Sequence, residues 1–130
     1  MATTQLPACP LMEGLPEEAL TQVAAYFQAL AEPTRLQILN LLRQGERSVG
    51  ELAQLCGHSA ANVSRHLSLL TRHGLVVRES RGNSAYYSIA DPSVYKLCDL
   101  VCGNIARQFE LTAPKRAAFA APGGRRSRAR

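Results

Sequence analysis

A mainly α fold of five helices and one small β-hairpin is what the sequence predicts, and three observations carry it. Apolar residues recur at helical spacing in five stretches punctuated by Pro, Ser, Asp and Gly. Two short β-type runs, LVVRES and SAYYSIA, flank a Gly-Asn turn. No apolar run approaches the roughly 18 residues of a membrane span.

Residues 1–15 carry Pro and Thr without periodicity and read as a flexible arm. The first helix starts at Pro16, with Glu17 and Glu18 in its first turn and Leu20, Val23, Ala24, Phe27 and Leu30 at helical spacing. Pro33 ends it and opens the second, PTRLQILNLLRQG, because a missing N–H costs little in a first turn. Leu36, Ile38, Leu39, Leu41 and Leu42 are apolar on more than one face, which predicts a central helix, with Gly45 as its C-cap. Ser48-Val-Gly-Glu51 is a capping box and opens a short helix, VGELAQLC, closed by Gly57. Ser59 caps AANVSRHLSLLTRH, which Gly74 closes. The hairpin turns at Arg81-Gly82-Asn83. Asp91 and Pro92 then start the last helix, PSVYKLCDLVCGNIARQFEL. The chain is thus divided into an arm (1–15), one domain (16–112) and a disordered basic tail (113–130).

The net charge of +5 belongs to that tail. Six of the fifteen basic residues follow Glu110 with no acid among them, leaving nine basic residues against ten acidic ones in the body. A basic pI is therefore weak support for nucleic-acid binding, and local motifs must supply it. The N-terminus lacks the basic patch and long apolar stretch of a signal peptide, so the chain is expected in the cytoplasm, with no membrane partner. There, four cysteines point to reduced thiols or ligands rather than structural disulfides. A domain this small buries a limited fraction of its surface, and a dimer partner would add to it.

The short helix, the tight turn at Cys56-Gly57-His58 and the amphipathic helix after it make a helix-turn-helix. In such motifs the N-terminal part of the second helix enters the major groove. Val63, Leu67 and Leu70 fall on one face and are expected inside. Ser59, Ala61, Asn62, Ser64, Arg65, His66 and Ser68 remain for DNA: Asn62 suits adenine and Arg65 guanine by bidentate contact, while Ser64 and His66 suit bases or phosphates. Arg72 and His73 lie far along the helix, toward backbone or solvent. The hairpin adds Arg78 and Arg81 as a basic wing. Singly, each is as readily an ordinary solvated charge; capping box, turn, polar helix face and basic hairpin together point to double-stranded DNA. Two rival readings stand beside it: a winged helix for protein contact, whose sign would be a recognition helix without Asn or Arg in its N-terminal half, where this one has both, and an RNA-binding winged helix, which duplex-DNA competition separates.

ALAEPTRLQILNLLRQGERSVGELAQLCGHSAANVSRHLSLLTRHGLVVRESRGNSAYYSIAD resembles the ArsR/SmtB family of bacterial transcription repressors, over about residues 18 to 110. The resemblance implies a winged helix-turn-helix homodimer joined through its first and last helices. It implies an inverted-repeat operator, and release when an inducer binds.

The resemblance does not carry the inducer. Where metalloid-sensing and cadmium-sensing members hold Cys-Val-Cys, this chain has Ser48-Val49-Gly50. Where zinc and nickel sensors place ligands on the last helix, it has Asp91, Ser93, Asn104 and Arg107, of which only Asp91 is a fitting donor. Sulfur remains. Cys98 and Cys102 lie one turn apart on the last helix and project from one side. With Cys9 on the arm as a third ligand they would suit trivalent arsenic or antimony, As(III) or Sb(III), or another thiophilic metal ion. Two alternatives stand beside this: core packing, since Cys98 sits in the stripe Val94, Leu97, Cys98, Val101, Ile105, and modification by oxidants or reactive sulfur. Cys56, at the helix corner, is expected to pack. No Ser-His-Asp ordering, phosphate loop or paired-carboxylate cleft suggests an enzyme, and no cofactor is required.

Overall fold

Local capping chemistry starts most of the elements, and a computed structural model describes them over residues 13–109. Two units divide at Ala90 and Asp91. In the first, α1 (Glu17–Leu30) follows Pro16 with Glu17 and Glu18 in its first turn, where the helix dipole favours acids. α2 (Pro33–Leu42) is capped by Glu32, whose Oε1 accepts the Arg35 N–H at 2.9 Å. α2 ends at Leu42, short of the expected Gly45. Its last turn tightens to three-residue bonds, Arg43 N to Asn40 O and Gly45 N to Leu42 O, and Arg43 becomes the C-cap.

The capping box forms on α3 (Val49–Cys56): Ser48 Oγ accepts from Glu51 N at 3.2 Å, and Glu51 Oε1 accepts from Ser48 N at 2.9 Å. Gly57 ends α3 at φ 74°, a left-handed conformation that a side chain would strain. Ser59 caps α4 (Ala60–Arg72) through Asn62 N at 3.1 Å.

The hairpin forms from β2 (Val76–Arg81) and β3 (Ser84–Ile89), with Gly82-Asn83 as a two-residue turn. The sequence reading missed β1 (Arg47–Ser48), which pairs antiparallel with β3, Arg47 opposite Tyr87 and Ser48 opposite Tyr86. Two residues are too few for alternation to show. Sheet order is β1–β3–β2.

The core of this unit joins Ile38, Leu39 and Leu42 of α2 to Leu52 of α3, to Val63, Leu67 and Leu70 of α4, and to Leu75, Val76 and Tyr87, all buried. Each such aliphatic side chain contributes about 1.5–3 kcal/mol by leaving water. α2 is central, as its apolar pattern predicts. α1 buries Ala29 and Leu30 but leaves Leu20 and Phe27 exposed.

The second unit carries α5 (Ser93–Gln108). Pro92 takes the N-cap position, and Asp91 still caps from one residue further out, accepting the Ser93 N–H at 3.0 Å. Hydrogen bonds from Ser93 hold the Asp91 carboxyl below its usual range. Along α5, Val94 is buried and Cys98 half-buried, whereas Leu100 and Val101 are exposed. Among the described residues no helix is long and apolar enough to cross a membrane. The basic tail, and the arm up to residue 12, lie outside the described residues.

Candidate nucleic-acid interface

Helical periodicity sorts α4 into three faces. Val63, Leu67 and Leu70 point inward and are fully buried. Asn62 and Arg65, three residues apart, share a second face, where Arg65 Nη2 donates to Asn62 Oδ1 at 2.5 Å. Arg65 is exposed, so the two side chains with bidentate base-reading chemistry form one preset pair. Ser64, Ser68, Thr71 and Arg72 form a third face, which lines a groove together with Arg78, Ala85 and Tyr87 of the hairpin and with Val49. The groove encloses about 460 Å³. Ala61 is exposed, and the Ser59 hydroxyl is engaged in capping.

Two of the residues expected to face DNA have partners within the protein. His66 turns toward the start of α2, its Nδ1 3.3 Å from Arg35 Nη1 and its Nε2 3.9 Å from Glu32 Oε1, with 17% of the side chain exposed. Burial pushes the imidazole below its usual value; the charges of Arg35, Arg65 and His58 push the same way, against the pull of Glu32. Arg35 also donates to Ala29 O at 2.6 Å and to Gln28 O at 3.1 Å. The cluster therefore ties the end of α1 and the start of α2 to α4. His66 was detectable: at three residues after Val63 and four before Leu70, it sits on the edge of the apolar stripe.

Arg81 is the other. Its guanidinium makes a two-bonded ion pair with Glu46, binds Glu79 Oε1 at 2.8 Å, and lies 4.8 Å from the centre of the Tyr86 ring. The hydrogen bonds to Glu46 and Glu79 hold it firmly charged, and Arg81 in turn lowers the Glu46 carboxyl. Arg78 donates to a neutral hydroxyl, Ser80 Oγ at 3.0 Å.

Cys56, Cys98 and Cys102 are thiols outside any disulfide, with Cys102 exposed. Burial raises the Cys56 thiol above its usual value, so little thiolate is present there at neutral pH. Limited iodoacetamide treatment of the native protein, followed by peptide mass spectrometry, is expected to label Cys102 before Cys56; the reverse order would put the reactive thiol at the helix-turn corner. Among the described residues no group of three His, Cys, Asp or Glu side chains is assembled to hold a metal. Cys9, the expected third ligand, lies outside them.

With this geometry in place, comparison with known proteins is decisive on family. Residues 32–77 match the bacterial regulatory protein arsR family. The chain is 42% identical over 93 residues to the HTH-type transcriptional regulator NmtR of Mycobacterium tuberculosis, spanning 72% of this chain and 74% of that protein. A homodimeric winged helix-turn-helix DNA-binding domain from Mycobacterium bovis, solved in solution, aligns with a TM-score of 0.64 at 34% identity, over 87% of this chain and 95% of that one. The crystal structure of AntR, an antimony-specific transcriptional repressor, aligns with a TM-score of 0.64 at 28% identity, over 82% and 97%. These relatives are transcriptional regulators and not enzymes. With its five helices and winged hairpin, the chain belongs to the ArsR family of DNA-binding transcription regulators.

Proposed function

We propose that this protein is a cytoplasmic homodimeric repressor that binds an inverted-repeat operator and leaves it when a thiol-binding inducer engages α5. The observation that carries the DNA half is the exposed Asn62–Arg65 pair on α4, flanked by the wing groove. On this reading Ser59, Ala61, Asn62, Ser64, Arg65, Ser68 and Arg78 meet the DNA, while His66 and Arg81 hold the parts in place. Two copies set their α4 helices about one DNA turn apart, which an inverted repeat matches. Exposed apolar side chains on α1 (Leu20, Phe27) and on α5 (Leu100, Val101) supply the kind of surface a dimer covers.

The inducer half rests on Cys98 and Cys102, four residues apart on α5. Two thiolates suit As(III), Sb(III) or another soft ion, and Cys9 would complete a three-sulfur set. An ion gripping α5 shifts the equilibrium only if it binds the DNA-free arrangement more tightly than the bound one. The test is binding of the reduced protein to a labelled fragment of its own promoter, with and without arsenite. Release by arsenite is expected, and Cys98→Ser and Cys102→Ser should each abolish it while leaving the complex intact. A complex that arsenite leaves untouched removes the metalloid from the reading but not the repressor. The exposure of Cys102 supports a second version, in which an oxidant or reactive sulfur species modifies that thiol. Release by such a reagent alone would select it.

A further inference from the structure

The two wing arginines stand in different surroundings. β-Strand side chains alternate between faces, so residues an odd number apart point to opposite sides. Arg78 and Arg81 are three apart on β2. Arg78 lies opposite Tyr87 in the hairpin register, and both line the groove against α4. Arg81 is on the other face, against Tyr86, where Glu46 and Glu79 occupy its guanidinium. Across the groove from Arg78 stands Arg72, on the last turn of α4. Among the described residues no carboxylate lines the groove; its other polar residues are Ser64, Ser68, Thr71 and Tyr87. Among the described residues neither Arg72 nor Arg78 forms an ion pair, in contrast to Arg81.

We infer that the groove between α4 and the wing is a seat for DNA phosphate, held by Arg72 and Arg78, and that Arg81 is a latch that sets the wing and does not touch DNA. The inference rests on the DNA-binding reading above and adds Arg72 to it. Two guanidinia with no carboxylate partner among the described residues offer a fork of donors to phosphate oxygens. The latch is already satisfied: binding DNA through Arg81 would require giving up two carboxylates. The position also fits the helix. With Asn62 and Arg65 near its N-terminal end reading bases, Arg72 lies ten residues beyond Asn62, about 15 Å along the axis, where the strand backbone rather than a base edge is within reach.

The experiment is fluorescence anisotropy on the full chain with the promoter fragment and with random duplex DNA, across a salt series. Each phosphate neutralised contributes about 0.9 to the slope of log affinity against log salt. Arg72→Gln and Arg78→Gln are each expected to lower that slope by about one per protomer, and to weaken promoter and random DNA by the same factor. Arg81→Gln is expected to leave the slope unchanged, and Glu46→Gln, which loosens the latch, to raise it. A slope unmoved by Arg72→Gln, or lowered by Arg81→Gln, overturns the inference while the DNA-binding reading stands. Absence of DNA binding by the wild type overturns the reading itself. Circular dichroism spectra matching the wild type are required of every variant; an arginine-to-glutamine variant that unfolds is replaced by the alanine one, with the same slope expected, while Arg72→Lys and Arg78→Lys keep the charge and are expected to keep the slope. A titration of sodium phosphate against sodium chloride at matched ionic strength separates the source of the phosphate. Equal displacement by the two salts supports a DNA seat; selective displacement by phosphate would assign the groove to a free oxyanion instead.

Discussion

Leu67→Ala is expected to lower the free energy of unfolding by about 2–5 kcal/mol, the range found when a fully buried leucine is cut back and the space only partly refills. Leu67 is fully buried, as are Val63 and Leu70 on the same stripe and Leu52 of α3. The loss falls on the seam that holds the two helices of the motif at their angle. Urea denaturation at fixed protomer concentration measures it; the concentration is fixed because the stability of the proposed dimer would depend on it. Leu55→Ala, on the exposed side of α3, is the matched control, and a change within ~0.5 kcal/mol is expected there. Equal losses at the two positions would contradict the placement of the core.

Arg65→Ala is expected to cost about 1–3 kcal/mol in operator binding, roughly 5- to 150-fold in affinity. Asn62 orients the guanidinium, so little side-chain freedom is left to lose when it meets a base edge. The loss should be greater on the operator than on random duplex, because base contacts specify where phosphate contacts position. Arg65→Lys should restore little of it, since an ammonium cannot make the paired contact to guanine that a guanidinium fork makes. An unchanged affinity would put the readout face elsewhere on α4. An equal loss on both DNAs would reassign Arg65 to the phosphate backbone.

How much could be read in advance follows from the distance in sequence between partners. The Ser48–Glu51 box, the left-handed Gly57, the Ser59 cap and the Gly82-Asn83 turn all close within a few residues, so residue type and spacing determine them. The inward stripe of α4 follows from helical period alone. The fates of His66 and Arg81 do not: Arg35 lies 31 residues before His66, and Glu46 lies 35 before Arg81. No local rule says which of several exposed cations will find a carboxylate across such a gap. Parity held part of the answer, because the odd spacing of Arg78 and Arg81 already sends them to opposite faces of a strand. Strand β1 escaped for a different reason, since its two residues are more conspicuous as the entrance to a helix.

Ser48 belongs to both structures at once. It sits opposite Tyr86 in the sheet, and its side chain closes the first turn of α3. The wing and the helix-turn-helix therefore have no slack between them. Slipping the sheet by one residue would flip its side chains to the other face, carrying Arg78 out of the groove and Val76 out of the core. It would also draw Ser48 away from Glu51. Tolerance to a change in chain length is accordingly uneven: a residue added at the 82–83 tip only lengthens an exposed loop, whereas one added between Arg47 and Glu51 throws strand register and helix phase out of step together.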